Sequence, residues 1–324
     1  IDGYYPSWVL ADQQLLLYDK LLDGTDRGGC FLPFSFQDLT VDTQARIYLP
    51  VTSAQPGNRG LFLRDGMMYT WASTTSDGGT ATVYDLQTGT VLAQWDAKGT
   101  HGYSNTQDAV LLLQTDATNV YRQRIYQKNL LDGTETDLLL WEITDTSVQP
   151  TLYGLSQGEN GFAFYGGVYD DKTFQYCCGF LDYDGNLECL TFYGNEYKFE
   201  LYPGGLLVRG QDFGVFAEEQ PEDLYQIYDA DTLSFRTIPD LDGSADAVTI
   251  SDHGKYMIVN QLSNGELTYW VYDLRQAELM ETFQYTPAYT DIYQYIVSIS
   301  EEQNGFLLML RRETLESALI YFAF

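Results

Sequence analysis

Two histidines, four cysteines and 46 acidic side chains are the residues of this chain whose types could do chemistry. His101 lies in Lys98-Gly99-Thr100-His101-Gly102, and His253 lies in Ser251-Asp252-His253-Gly254. Glycine beside a polar residue is a turn signal, so both imidazoles are expected in solvated loops. A Ser-His-Asp triad would have to recruit one of these two, and no hydrolase elbow is expected. A zinc site is not expected, because there is no C-x-x-C pair and histidine is scarce. The cysteines are Cys30, Cys177, Cys178 and Cys189. Cys177 and Cys178 are adjacent on a strand and face opposite sides, so one of them could reach Cys189 across the turn at Asp184-Gly185-Asn186. The plainer reading makes all four small apolar fillers.

The carboxylates offer two further chemistries. A glycosidase needs two carboxyl groups about 5–10 Å apart, and a chain this acidic could supply them, although sequence does not pick the pair. Asp182-Tyr183-Asp184-Gly185-Asn186-Leu187-Glu188 sets oxygens at alternate positions around a glycine, in part like a calcium loop. Asp240-Leu241-Asp242-Gly243-Ser244-Ala245-Asp246 is a second such stretch. Both read equally as hairpin turns capped by aspartate. The expectation is therefore no catalytic residue, no metal and no cofactor.

Aromatic residues are the most unusual feature: 27 Tyr, 17 Phe and five Trp. Trp71, Trp95, Trp141 and Trp270 fall in or beside strands and read as core. Tyrosine tolerates the surface, and Tyr285, Tyr289, Tyr293 and Tyr295 crowd one connection. Tyr-rich loops give contact area at low entropic cost. These four are the candidate ligand-binding residues.

The elements that must carry these residues are strands. One phrase recurs: alternating strand, Tyr-Asp, short turn, second strand. It occurs at Tyr84-Asp85, Tyr228-Asp229 and Tyr272-Asp273, and more loosely near Tyr126 and at Leu181-Asp182. A second phrase, strand, polar turn, apolar strand, precedes it, most clearly from Val248 to Val259. Seven copies of that hairpin recur at roughly 45 residues, the period of a four-stranded propeller blade. No sustained helical period competes, and the best helical candidate, 313–318, is too short to matter. The expected fold is all-β: a single β-propeller domain over 1–324, with seven four-stranded blades. Six blades is the alternative if the first 60 residues only supplement the last blade. The ring is expected to close with strands from both ends, the N-terminal one from Gly3-Tyr4-Tyr5 or from residues 30–34.

The Ile250-Ser251-Asp252-His253-Gly254-Lys255-Tyr256 phrase and the Tyr-Asp-Leu-x-Thr-Gly phrase resemble repeats of seven-bladed propellers of the Tol-associated and YVTN type. Tyr18-Asp19, Asp23-Gly24, Cys30-Phe31-Leu32-Pro33 and Ile47-Tyr48-Leu49-Pro50 are similar to the opening of secreted propeller-like lipoproteins of Gram-positive gut bacteria. A C-x-x-P-x-C-x-H segment is common there. Here Cys30 and Pro33 match, but Ser35 and Gln37 stand at the second Cys and the His. If relatives hold a metal at that segment, this chain has lost the ligands.

Charge narrows the partners. A formal net charge of −29 repels nucleic acid and anionic membrane surfaces. A 44% apolar fraction excludes an acidic disordered tail. No apolar run reaches the ~18 residues of a membrane span. The chain begins at Ile1, and a removed leader that left a lipid anchor is the expectation. The functional expectation is a non-catalytic extracellular binding scaffold, on the bacterial cell surface, for a protein, peptide or glycan ligand. The alternative is a carbohydrate-active enzyme using channel carboxylates.

Overall fold

The computed structural model describes residues 4–11, 14–20, 26–35, 40–42, 44, 47–49, 59–64, 66–75, 78–85, 87–106, 108–170, 173–192, 197–210, 225–238, 241, 247–251, 253–289, 292–312 and 317–324. Every regular element among them is a strand, pairing is predominantly antiparallel, and sheet neighbours are mostly in chain order. The first sheet holds β1 (Tyr4–Ala11), β2 (Gln14–Lys20), β3 (Asp26–Ser35), β4 (Thr40–Val41) and β5 (Ile47–Leu49). The second holds β6 (Arg59–Arg64), β7 (Met67–Thr75), β8 (Gly78–Asp85) and β9 (Val91–Ala97). The third holds β10 (Thr100–Gly102), β11 (Ala109–Thr115), β12 (Arg122–Asn129) and β13 (Glu135–Glu142). The fourth holds β14 (Thr151–Gln157), β15 (Gly161–Asp170), β16 (Thr173–Asp182) and β17 (Leu187–Phe192). The fifth holds β18 (Tyr197–Tyr202), β19 (Gly205–Gly210), β20 (Tyr225–Asp229) and β21 (Ser234–Thr237). The sixth holds β22 (Ala247–Ile250), β23 (Tyr256–Ser263), β24 (Glu266–Asp273) and β25 (Glu278–Tyr285). The last holds β26 (Ile292–Ser300), β27 (Gly305–Arg312) and β28 (Ser317–Ala323).

The repeated phrases have a physical cause. Second strands bury both faces and read as unbroken apolar runs, as in Val110-Leu111-Leu112-Leu113 and Met257-Ile258-Val259. Fourth strands face solvent, as β13 and β25 show. Third strands end on the Tyr-Asp pair: Tyr84, Tyr228 and Tyr272 are buried. The aspartate that follows turns the chain. Asp85 Oδ1 accepts from the Gln87 and Thr88 amides at 2.8 and 2.7 Å, and Asp229 Oδ1 from Asp231 and Thr232 at 2.9 and 3.1 Å. Asp273 repeats the arrangement with Arg275 and Gln276. In the third sheet Asn129 does the same for Leu131 and Asp132. These are Asx turns, which need a short side-chain oxygen at the strand end.

The described residues fall into two compact units. One comprises 1–97, 260–270 and 281–324, and the other 98–259 and 271–280. In the second unit, one cluster joins Leu111, Ile125 and Trp141 to Phe162, Phe164 and Cys177. Another joins Cys178 and Phe180 to Leu206 and Tyr228. The fourth sheet is thus apolar on both faces.

In the first unit, Tyr4 and Tyr5 lie in β1 opposite Asp19 and Tyr18. Residues 30–34 lie in β3, beside β2 and against β4 and β5. Neither candidate closing strand therefore joins the last sheet, which has three strands among the described residues. Gly3 lies outside those residues. The Phe324 amide bonds the Asn304 carbonyl at 2.7 Å, as Leu130, Ala230 and Leu274 bond turn carbonyls beside their own second strands. β28 thus corresponds to a third strand. Of the helical candidate 313–318, Ser317 and Ala318 belong to β28, and the rest lies outside the described residues. No helix among the described residues is long and apolar enough to cross a membrane.

Candidate functional site

The register of the fourth sheet gathers aromatic rings on one face. Tyr165, Gly167 and Tyr169 alternate along β15, and they stand opposite Cys178, Tyr176 and Phe174 on β16. A period of two sends all of them to the same side. Tyr153, at the irregularity between Leu152 and Gly154 in β14, and Phe199 of β18 complete the group. Phe174 meets Tyr169 at 5.1 Å, Tyr176 at 4.8 Å and Tyr153 at 6.4 Å between ring centroids. Tyr165 stacks on Phe199 at 5.5 Å with 5° between planes. Such pairs contribute about 0.5–1.5 kcal/mol each beyond the area they bury.

Glycine makes the close approach possible. A Cβ on Gly167 would stand 2.2 Å from the Phe174 ring, and one on Gly154 would stand 2.3 Å from the Tyr165 ring. The surface is not sealed: Tyr169 is 51% and Phe174 38% exposed, and the other four rings are half-buried. Tyr153 hydrogen-bonds Tyr169 through their hydroxyls. Burial first, then this bond, pushes the Tyr153 phenol up to about 12. The result is a partly exposed aromatic platform that carries tyrosine hydroxyls, suited to stacking against flat or ring-shaped apolar groups. Sequence reasoning missed it because its members are scattered over 153–199. The alternation Tyr165-Gly-Gly-Val-Tyr169 followed by Phe174-Gln-Tyr176 was the available signal.

Among the four candidate tyrosines, Tyr285 ends β25 and meets Phe322 edge-on at 6.4 Å. Tyr289 is 53% exposed, with the Arg312 guanidinium 4.0 Å over its ring. Tyr293 is equally exposed and stands opposite Arg311, while Tyr295 stands opposite Met309 in β26. No ring-to-ring pair within 285–295 is formed by the side chains described.

His101 departs from expectation. It lies in β10 opposite Leu112, is buried, and burial holds its imidazole down at about 4. Glycine on either side of Thr100-His101 marked strand ends rather than an open loop. A Cβ on Gly102 would strike the Leu155 carbonyl at 2.3 Å. His253 is exposed in a turn, as expected.

One stretch, Gly154-Leu155-Ser156-Gln157-Gly158, does carry the G-x-S-x-G spacing, against the expectation of no such elbow. It makes no nucleophile. Ser156 sits within β14 and is fully buried. Its Oγ donates to the Tyr202 carbonyl at 2.6 Å and accepts the Gly204 amide at 3.0 Å. An elbow needs a strand-to-helix turn and an exposed hydroxyl. The adjacent Gln157 is also structural: its Oε1 accepts from Gln127 Nε2 at 2.8 Å, and its Nε2 donates to Tyr183 Oη at 2.9 Å.

The acidic loops divide. In 182–188, Asp182 caps its own hairpin, accepting the Asn186 amide and side-chain amide, each at 2.7 Å, and the Asp184 amide at 3.0 Å. These bonds, led by that from the Asn186 side chain, hold its carboxyl below the ordinary range. The carboxylate is occupied as a turn cap. In 240–246 only Leu241 is described. No cluster of three His, Cys, Asp or Glu residues that could hold a metal occurs among the described residues. Cys177 and Cys178 are buried thiols and Cys189 is half-buried. The side chain of Cys30 lies outside the described residues.

No family model matches the chain, and no curated protein matches it. Solved structures do. Prolyl oligopeptidase B from Galerina marginata, bound to a 35mer hydrolysis and macrocyclization substrate, matches at TM-score 0.53 and 12% identity, over 99% of this chain and 48% of that one. A post-proline cleaving enzyme from Rickettsia typhi matches at TM-score 0.55 and 9% identity, over 98% of this chain and 51% of that one. The chain spans about half the length of these peptidases. At such identities the likeness shows the fold, an all-β propeller of repeated antiparallel sheets. No match supports the Tol-associated, YVTN or lipoprotein resemblance.

The two structures reported above are peptidases, and they run against the expectation of a non-catalytic binding scaffold and its carbohydrate-active alternative.

Proposed function

We propose that the chain works in peptide hydrolysis, as the propeller part of a peptidase, and that the aromatic face of β15 and β16 receives proline-containing peptide. The observation that carries the reading is that face: six partly exposed rings in mutual contact around Phe174. Proline-rich segments hold a preformed extended helix and dock their rings against aromatic side chains at low entropic cost. The tyrosine hydroxyls of the face suit the peptide carbonyls, which lack local donors in that helix. A net charge of −29 favours neutral or cationic peptides over acidic ones. The half-length likeness to prolyl oligopeptidase and a post-proline cleaving enzyme supports peptide as the substrate class.

Within this reading the seven sheets are seven blades, the last with three strands of its own. Tyr285, Tyr289, Tyr293 and Tyr295 form a second, weaker peptide contact, in which Arg312 over Tyr289 sets a ring flat to the surface. Export to the cell surface also belongs to it, and fractionation of the native cells tests that part.

Binding is tested by fluorescence anisotropy with a labelled, neutral, proline-rich peptide. The wild-type chain is expected to bind it and to ignore the same peptide with each proline replaced by glutamate. Equal affinity for both, or none for either, overturns the reading.

A further inference from the structure

Cys177 and Cys189 lie on the same face of the fourth sheet. Cys177 of β16 stands opposite Thr191, and Cys189 of β17 stands opposite Gly179, two positions along from Cys177. The two cysteines are therefore diagonal neighbours across one strand pair. The residue between them on β16, Cys178, points to the other face and into a different cluster. Opposite Cys189, Gly179 carries no side chain that could come between the sulfurs. Cys177 and Cys189 belong to one cluster, and their thiols hydrogen-bond each other. β17 is the outer strand of its sheet, and Cys189 is the only half-buried member among the three described thiols.

We propose that Cys177 and Cys189 form a thiol–disulfide exchange site that a low-molecular-weight disulfide converts to an internal disulfide. The Cys189 thiolate attacks one sulfur of the incoming disulfide. That bond breaks, one small thiol leaves, and a mixed disulfide stands on Cys189. The Cys177 thiolate then attacks the Cys189 sulfur and expels the second small thiol. Two protons pass from the two cysteines to the two released thiols, so atoms and electrons balance. The attacker is Cys189 for two reasons. It is the accessible one, and the thiol bond from Cys177 lowers it to about 7, whereas that same bond and burial push Cys177 up. The thiolate is the nucleophile, and a thiol titrating near ambient pH is the best attacker. Cys178 takes no part: burial pushes it up to about 12 and it packs beside Tyr228.

The test uses the full chain with oxidised glutathione, followed by alkylation in denaturant, intact mass and peptide mapping. The expected result is loss of two hydrogens and a linked pair of peptides containing Cys177 and Cys189, reversed by excess reduced thiol. Cys177→Ser should stop at a glutathione adduct on Cys189, and Cys189→Ser should show neither the adduct nor the bridge. A chain whose four cysteines all remain alkylatable overturns the proposal, as does a bridge that uses Cys178 or Cys30. The wild-type mapping decides the matter even if a variant fails to fold.

Discussion

The aromatic face around Phe174 and the tyrosine-rich stretch 285–295 are built from the same residue types and end differently. In the fourth sheet, rings far apart in sequence converge, because neighbouring strands place them in register and Gly154 and Gly167 leave room. In the stretch 285–295, four tyrosines close in sequence disperse. One meets Phe322, one lies under Arg312, and two stand opposite Arg311 and Met309. Proximity along the chain is a poor guide to proximity in a sheet protein. Cross-strand register decides which side chains meet.

The largest expected effect attacks the framework of the first region. A Cβ on Gly166 would stand 2.4 Å from the Thr151 carbonyl, a backbone atom with nowhere to go. Gly166→Ala should therefore push β14 and β15 apart, at a cost of about 2 kcal/mol. Denaturant unfolding measures it, and an unchanged midpoint would deny that the platform needs close backbone contact. Next, Phe174→Ala removes the ring shared by Tyr153, Tyr169 and Tyr176. Peptide affinity should fall about tenfold with the fold intact, since truncation of a central aromatic anchor typically costs more than 1 kcal/mol.

Tyr153→Phe deletes only the hydroxyl bond to Tyr169 and should lower stability by about 1 kcal/mol or less. It also gives a pH signature. The Tyr153 phenol is raised to about 12, so its contribution to stability is complete below the unfolded value near 10 and is lost as pH rises from there through 12. Absorbance titration of phenolate in the wild type and in Tyr153→Phe isolates that late ionisation, and titration of this tyrosine near 10 would contradict the packing. The smallest effect belongs to the second region. The double substitution Tyr289→Ser with Tyr293→Ser should weaken peptide binding by about two- to threefold and leave stability nearly unchanged, because both side chains are half in solvent.

Much of the architecture was legible because the repeat carries its own mechanism. Tyr84-Asp85, Tyr228-Asp229 and Tyr272-Asp273 each bury a ring and then turn on a carboxylate, so the phrase and the hairpin are one fact. The diagonal pairing of Cys189 with Cys177 rather than Cys178 was half legible. Alternation required a choice, but only the register of β16 against β17 makes it. His101 misled because glycines flank it and a three-residue strand is too short to show a period. Ser156 shows the converse, a motif spacing met by a buried strand residue that bonds backbone. The aromatic face stayed hidden because its members come from four strands, and no window along the chain contains them all.

The most direct test of the central claim is one anisotropy titration of the labelled proline-rich peptide against three chains: wild type, Phe174→Ala, and the Tyr289→Ser, Tyr293→Ser double variant. The account predicts the double variant only about two- to threefold weaker than wild type, with Phe174→Ala about tenfold weaker. Wild-type affinity in Phe174→Ala, with binding abolished in the double variant, would contradict it and move the peptide to the stretch 285–295.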